Sequence, residues 1–501
     1  MAETTSAMEP HRAQWKSQWG FLLAAAGSAI GLGSIWRFPY VVYLNGGGAY
    51  LIPYFVALVT AGIPLMILEY GIGQQMRGSA PMSFAKIDRH WEWLGWWTVI
   101  FVMFGIVLYY AVVIAWCVSY LWFSLSLAWG NDPNSFFFQQ FLGATQGPHI
   151  IGDIRSPILL SLIFVWLANW LIVFFGVEHG IERANKIFMP LLFLLILTLV
   201  GWTATLPGAK EGILLYLKPD FSRLSDPKVW IDAYSQIFFT LSLGFGIMVT
   251  YASYLPRRAD INFNACMTSL VDTLVSLVAG LAVFGTLGYM AAQTGKPFHE
   301  IVQHGIGLAF VVYPQAISLL PSLPYLFGLL FFLTLTVAGI ASSISILEAF
   351  TAAVTDKFHY PRRAVVTALS MIGFLGGIIF TTGGGLAWLD IVDHFLSHYG
   401  LFLVCILQSV LVGWIYGSSR LREQVNAVSL FRVGRLFDFS IKYLIPVVLV
   451  VLLVHDLIND ISQPYGGYPW IALILIGRDW LILTFIAALI VATRPWRKPI
   501  H

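Results

Sequence analysis

Apolar runs of roughly 18 or more residues recur along the whole chain, each long enough to cross a hydrocarbon layer as a helix. We read twelve of them, at 19–41, 48–73, 93–126, 157–176, 184–206, 231–254, 265–292, 324–355, 364–381, 386–416, 439–458 and 472–493. So many spans leave little chain for a water-facing surface, and the composition agrees. Only 11% of the 501 residues are charged and 58% are hydrophobic, whereas soluble domains carry about 25% charged residues. The expected fold is therefore an all-α membrane protein with the lipid bilayer as its main partner.

Lys and Arg set the orientation. With the N-terminus inside, most of the 28 fall on the cytoplasmic side, among them Arg12, Lys16, Arg77, Arg257, Arg362, Arg422 and Arg497. Both termini are read as cytoplasmic and the protein as multi-pass in the plasma membrane. A net charge of +3 supports no nucleic-acid role. Cys117, Cys266 and Cys405 lie in apolar runs and do not form a disulfide framework. The first 18 residues are polar and the first apolar run continues into a full span, so no cleaved signal peptide is expected. The oligomeric state is not legible.

Two spans carry interruptions. The first contains Gly27-Ser-Ala-Ile-Gly31-Leu-Gly33-Ser34, the sixth Ser242-Leu-Gly244-Phe-Gly246. Glycine costs about 1 kcal/mol relative to alanine inside a helix. Paired glycines beside Ser and Thr point to helices that open in mid-membrane, although close packing through small residues reads equally well for either segment alone. Their places, first and sixth, favour opening. Corresponding members of two five-helix halves are interrupted where an inverted-repeat transporter holds its substrate. The chain divides accordingly into an N-terminal segment 1–18, a first repeat 19–206, a second repeat 207–416, and spans eleven and twelve with the C-terminus, 417–501.

At these residues the chain resembles the neurotransmitter:sodium symporter family, including its bacterial leucine-transporter-like amino-acid symporters. The motifs are GSAIGLGSIWRFPY (27–40), NGGGAYLIPY (45–54), GIPLMILEYGIG (62–73), GIERANKIFMP (180–190), SQIFFTLSLGFGIMVTYASY (235–254) and AGIASSISILEAF (338–350). The resemblance spans nearly the whole chain. It implies a leucine-transporter-type fold with unwound first and sixth helices, and sodium-coupled symport by alternating access rather than enzymatic chemistry.

The resemblance also implies a site. A substrate carboxylate should meet the backbone near Leu32 and Gly33, the Tyr110 hydroxyl and a sodium ion. The ammonium should meet carbonyls of Ala29, Phe239 and Thr240 and the side chain of Ser242. The substrate side chain should lie among Ser28, Ile106, Phe239, Phe245, Ser342 and Ile346. Gly31 stands where monoamine members place an aspartate, so the substrate should bring its own carboxylate. The aliphatic wall suits a small or medium apolar amino acid. A first sodium site would draw on Ala29, Ser34, Thr240 and Asp272, with Ser34 and Asp272 each in place of a usual asparagine. A second would use Gly27, Ile30, Ala338, Ala341 and Ser342, with Ala341 in place of an oxygen-bearing residue. One or two sodium ions are thus expected. Tyr54, Gln236, Thr240 and Ser276 match a chloride-like site. Asp272 already puts a negative charge one turn from Ser276, and two anions that close repel strongly, so chloride is not expected to be required.

Arg37 and Asp393 resemble an outer ion-pair gate, above a lid of Tyr110 and Phe239. Arg12 and Asp356, with Trp15 and Tyr254, resemble the inner one. Glu69 is expected to accept hydrogen bonds from unwound backbone. Gly180 and Pro190 bracket the start of the fifth span with a spacing that the family associates with local unwinding. Segment 293–323 is expected to be a loop with short helices. Other classes fit less well. His299 and His304 miss the zinc-protease spacing by one residue and would not share a helix face. A non-transporting receptor or channel would need a signalling domain or a continuous pore. Symport of another zwitterion, such as a betaine, stays open.

Overall fold

The computed structural model describes residues 13–302 and 305–500. Among them the chain is helical, with a single isolated bridge between Ile154 and Thr382. This is what a bilayer demands, since backbone N–H and C=O groups there have no water to bond.

The helices that build the spans, the two interrupted segments and the 293–323 connection are, in chain order, α1 (Gln18–Ala29), α2 (Leu32–Leu44), α3 (Gly47–Met76), α4 (Arg89–Ser124), α5 (Ser156–Phe174), α6 (Val177–Ala204), α7 (Pro227–Thr240), α8 (Ile247–Ala252), α9 (Ile261–Thr294), α10 (Gly305–Ser318), α11 (Pro324–Phe358), α12 (Arg362–Thr381), α13 (Gly385–Val428), α14 (Arg435–Gly467) and α15 (Trp470–Ala492), with shorter helices such as Ala80–Ile87 and Ala209–Leu217 between them. Among the described residues 10 helices are long and apolar enough to cross a membrane, and α1 with α2 makes a further span bent by 56°. That count is lower than twelve because the sixth expected span is divided into α7 and the six-residue α8, neither long enough to qualify. The expected loop at 293–323 holds α10.

Burial separates centre from periphery. In α4 and α11, 89% and 83% of the most apolar stretch is buried, against 22% in α14 and α15. The two central helices pack along each other. A Cβ at Gly339 would lie 2.6 Å from Ile114, so the missing side chain is what allows the approach. Exposed Leu and Ile on the outer helices are the lipid-facing surface. At one end of the core, Lys357 is fully buried, bonding Glu92 at 2.5 Å and the carbonyls of Val491 and Ala492. A buried ammonium needs this many acceptors, and the bonds tie α11, α4 and α15 together.

Candidate functional site

Both interrupted segments open. In the first, α1 ends at Ala29 and α2 starts at Leu32, with Ile30 and Gly31 outside helical geometry. In the second, residues 241–246 separate α7 from α8. Gly244 (φ +76°) and Gly246 (φ +70°) take left-handed conformations that side chains resist, and Ser242 takes one at φ +53°. The Ser242 conformation is strained for a residue with a Cβ. Its hydroxyl donates to the Ser28 carbonyl at 3.0 Å, which holds it there and joins the two breaks. From α11, the Ser342 hydroxyl donates toward the carbonyls of Gly27 (3.3 Å) and Ser28 (3.1 Å). The carbonyl end of α1 is thus gathered by hydroxyls from two other segments. On the opposite side of the break, the Leu32 N–H donates to Tyr110 Oη at 3.3 Å. Half-helix ends carry partial charges of opposite sign, so the break presents both polarities.

Gly31 sits between Tyr110 and Ser342. A Cβ there would lie 3.1 Å from Tyr110 Oη and 3.3 Å from Ser342 Oγ. Gly33 does the same for Phe239, whose ring would be 3.1 Å from a Cβ. Arg37, one turn on, lies with its guanidinium 4.3 Å from the Phe239 ring centroid. Phe245 meets Phe101 edge-on at 6.3 Å, and Phe104 meets Phe350 at 5.2 Å. These contacts set the 101–106 stretch of α4 between the second break and α11. Ile106 and Ile346 are both buried.

Beside the breaks, three side chains close on one another. Ser34 Oγ donates to Asp272 Oδ1 at 2.9 Å, Thr240 Oγ1 donates to Asp272 Oδ2 at 3.0 Å, and the two hydroxyls are 3.0 Å apart. All three residues are buried, and Asp272 is fully so. They come from α2, α7 and α9, and Ala29 lies at the end of α1 nearby in the break. A carboxylate at this depth is costly without a partner, and two hydroxyls are weak compensation. This is a cluster of hard oxygen donors of the kind that suits a hard cation.

The other expected residues fall as follows. Gly27, Ile30, Ala338 and Ala341 are all buried. Tyr54 Oη pairs with Thr273 at 3.2 Å, while the Gln236 amide and the Ser276 hydroxyl are buried without partners. Glu69, fully buried, accepts from the Gly244 N–H at 2.7 Å and from Gln408 at 3.2 Å. Arg37 and Asp393 do not form an ion pair within 4.0 Å among the described residues. Asp393 instead accepts from Tyr109 Oη at 2.5 Å and Ser397 at 2.9 Å. The short, well-placed tyrosine hydroxyl satisfies the carboxylate, and the Phe239 ring occupies the face of Arg37. On the inner side, Trp15 donates to the Tyr251 carbonyl at 2.8 Å and stacks edge-on with Tyr251 and Tyr254. Tyr254 donates to Glu348 at 2.7 Å, and Asp356 accepts from the Ser79 N–H at 2.8 Å. Arg12 lies outside the described residues. Gly180 and Pro190 fall inside α6, which is helical across both and begins with a wide turn at 177–182, so the expected local unwinding is not seen there.

Tyr109, Gln408 and Asn185 are contacts the sequence reading did not single out. Gln408 is a polar group in an apolar run and Tyr109 sits beside Tyr110, which is the signal that could have found them, whereas Asn185 stands among charged neighbours and gives no such signal.

The family model of the sodium:neurotransmitter symporter family matches residues 12–135 and 129–496. An uncharacterised sodium-dependent transporter of Methanocaldococcus jannaschii is 46% identical over 96% of this chain and 97% of its own. The sodium-dependent dopamine transporter of Caenorhabditis elegans is 31% identical over 93% of this chain and 84% of its own. The human sodium- and chloride-dependent GABA transporter 2 is 31% identical over 92% and 83%. With its helices opened at two places around a buried oxygen cluster, the chain belongs to the sodium:neurotransmitter symporter family, and it is a multi-pass, sodium-dependent membrane transporter rather than an enzyme.

Proposed function

We propose that the protein carries a neutral, small-to-medium apolar amino acid inward with sodium by alternating access, across the plasma membrane and with both termini cytoplasmic. One observation supports this most. Two opened helices meet at a point where a carbonyl-rich helix end, a half-helix N-terminus and a buried carboxyl group lie together. A zwitterion complements the two helix ends, and a cation complements Asp272. The absence of a carboxylate at Gly31 favours a substrate that carries its own. In this reading the twelve spans form two five-helix inverted repeats, residues 19–206 and 207–416, followed by two peripheral helices.

The substrate binds between Ser28, Ala29, Leu32, Gly33, Tyr110, Phe239, Thr240 and Ser242, with Ile106, Phe245, Ser342 and Ile346 around its side chain. The first sodium binds Ala29, Ser34, Thr240, Asp272 and the substrate carboxylate, which couples the two bindings. The second binds Gly27, Ile30, Ala338 and Ser342. Each sodium charge gains about 2.3 kcal/mol from 100 mV of membrane potential, enough to concentrate a zwitterion without ATP. Arg37 and Asp393 close the outer side over Tyr110 and Phe239. Trp15, Tyr254, Asp356 and Arg12 close the inner side.

Chloride is not needed in this reading, because Asp272 supplies the negative charge. One observation favours the alternative: Gln236 and Ser276 are buried and unpartnered, as groups facing an anion would be. Uptake into proteoliposomes settles both points. Saturable uptake of alanine, valine, leucine or methionine that needs an inward sodium gradient and persists in gluconate supports the proposal. Loss in gluconate overturns the chloride reading, and a lack of sodium dependence overturns the transport reading.

A further inference from the structure

Helix α6 lies along α1 through one face. Glu182 receives the Lys16 N–H at 2.8 Å and the Ser17 hydroxyl at 3.0 Å, which places a carboxylate at the N-terminus of α1, where the helix dipole favours it. Three residues on, Asn185 faces the far end of the same helix. A Cβ at Gly27 would lie 2.4 Å from Asn185 Oδ1 and 3.1 Å from Met189. Gly27 and Gly20 are two turns apart, and a Cβ at Gly20 would strike Glu182. The small residues of α1 therefore accommodate polar groups of α6, with Met189 beside them.

Asn185 is fully buried. Its amide nitrogen donates to the Ile181 carbonyl at 3.0 Å. That bond fixes the orientation of the amide, since a flip would set oxygen against oxygen. The oxygen then points toward Gly27 and has no partner. An unsatisfied buried acceptor costs about 1–3 kcal/mol, so Asn185 Oδ1 implies something here that donates or is positive. The neighbouring acceptors are the carbonyls of Gly27 and Ser28, reached by Ser342 Oγ from the other side. Ala341, on α11 beside Ser342, brings no oxygen.

Building on the second sodium site proposed above, we infer that Asn185 Oδ1 is a ligand of that sodium, delivered from α6 and replacing the oxygen missing at Ala341. The ion then bridges three elements, α1, α6 and α11. Its departure removes the charge that makes the Asn185–Gly27 approach favourable, so α6 separates from α1 as sodium leaves.

The test uses purified full-length protein and two readouts, sodium titration of amino-acid binding and sodium-dependent melting temperature, with potassium as the control ion. Asn185→Leu keeps the branched shape and removes the oxygen. It should raise the sodium concentration for half-saturation about tenfold, as loss of a metal-orienting group typically does, and remove most of the sodium-dependent melting shift. Asn185→Asp keeps an oxygen and should bind sodium at least as well as the parent. Ala341→Ser in the Asn185→Leu background returns an oxygen from α11 and should recover the titration, which a packing role would not do. A parental titration in Asn185→Leu overturns the inference while leaving sodium coupling intact. A wild-type protein indifferent to sodium overturns the underlying reading instead.

Discussion

Around the first break, Ser34, Thr240 and Asp272 make three side-chain contacts with one another, and the cluster is built on a carboxyl group. A few residues away, the carbonyl end of α1 is an array of backbone oxygens gathered by Ser242 and Ser342, with Asn185 idle beside it. The two differ in what holds them. The first is set by which side chains the chain carries. The second is set by how the backbone is bent, because a carbonyl is available only where helical bonding has been given up. A charged side-chain site tolerates small movements of the backbone around it; a carbonyl site disappears when its helix re-forms. That makes the first suited to permanent coupling with substrate, and the second suited to being made and broken during the cycle.

The largest effect should come from the charged cluster. Asp272→Ala removes the carboxylate that Ser34 and Thr240 both address. Losing one member of a buried, hydrogen-bonded charge pair costs about 2–5 kcal/mol, so sodium-stimulated amino-acid binding should be lost within the usable concentration range. Asp272→Asn is more informative. It keeps an oxygen and removes the charge, and Gln236 and Ser276 then lie near a site lacking a negative group. Uptake by this variant should be weak in gluconate and rise in chloride, whereas the Asp272→Ala variant should respond to neither. A chloride-indifferent Asp272→Asn transporter would separate the charge of Asp272 from the role given to it.

The second break should be next in sensitivity. Glu69→Ala deprives the Gly244 N–H of its acceptor in a water-free place, a loss of about 1–3 kcal/mol. Melting temperature should fall, and sodium and substrate affinity should fall together because Thr240 and Ser242 flank the loosened turn. Glu69→Gln keeps an acceptor and should retain most of the stability. An unchanged melting temperature in Glu69→Ala would mean that the break holds its shape without the brace.

How much of this was readable beforehand follows the same division. Asp272 is a lone carboxylate in LVDTLVSLVAGLAVF, and Glu69 a lone one after GIPLMIL; a charge that far into an apolar run announces itself. The breaks were legible through Gly27–Gly33 and Gly244–Gly246, because glycine marks where a helix yields. Carbonyl donors leave no such trace. Every residue has one, and only the bend decides which is free. Asn185 lies within GIERANKIFMP with nothing in the sequence to single it out, since its value depends on Gly27 facing it from another helix. The outer gate shows a further limit: Arg37 and Asp393 were recognisable as charges near the membrane edge, but Tyr109 lay in between as an equally good partner for the carboxylate, and spacing along the chain does not rank partners.

A smaller effect is expected at Gly31, which belongs to neither cluster but touches groups serving both. In Gly31→Ala the new methyl meets Tyr110 Oη at 3.1 Å and Ser342 Oγ at 3.3 Å. Displacing two hydroxyls by a few tenths of an ångström should cost about 1–2 kcal/mol, the lower range for overpacking. Amino-acid affinity should fall with little change in melting temperature. An equal fall in both would place Gly31 in the framework instead.

The mildest change sharpens the comparison by avoiding both clusters. Tyr109→Phe removes one hydrogen bond from Asp393, which keeps its bond to Ser397. The net worth of such a bond is about 1 kcal/mol. With Tyr109 gone, Asp393 is released to face Arg37, and the outer side should close more readily over bound substrate. Dissociation of radiolabelled amino acid from the purified protein should slow by about fivefold, which is that energy expressed as a rate. The sodium titration should not move, because neither Ser34–Thr240–Asp272 nor the α1 carbonyls touch Tyr109. A shift in sodium dependence would tie the gate to the cation clusters through α4, and the separation between side-chain and backbone sites would then have to include Tyr110, the next residue along the same helix.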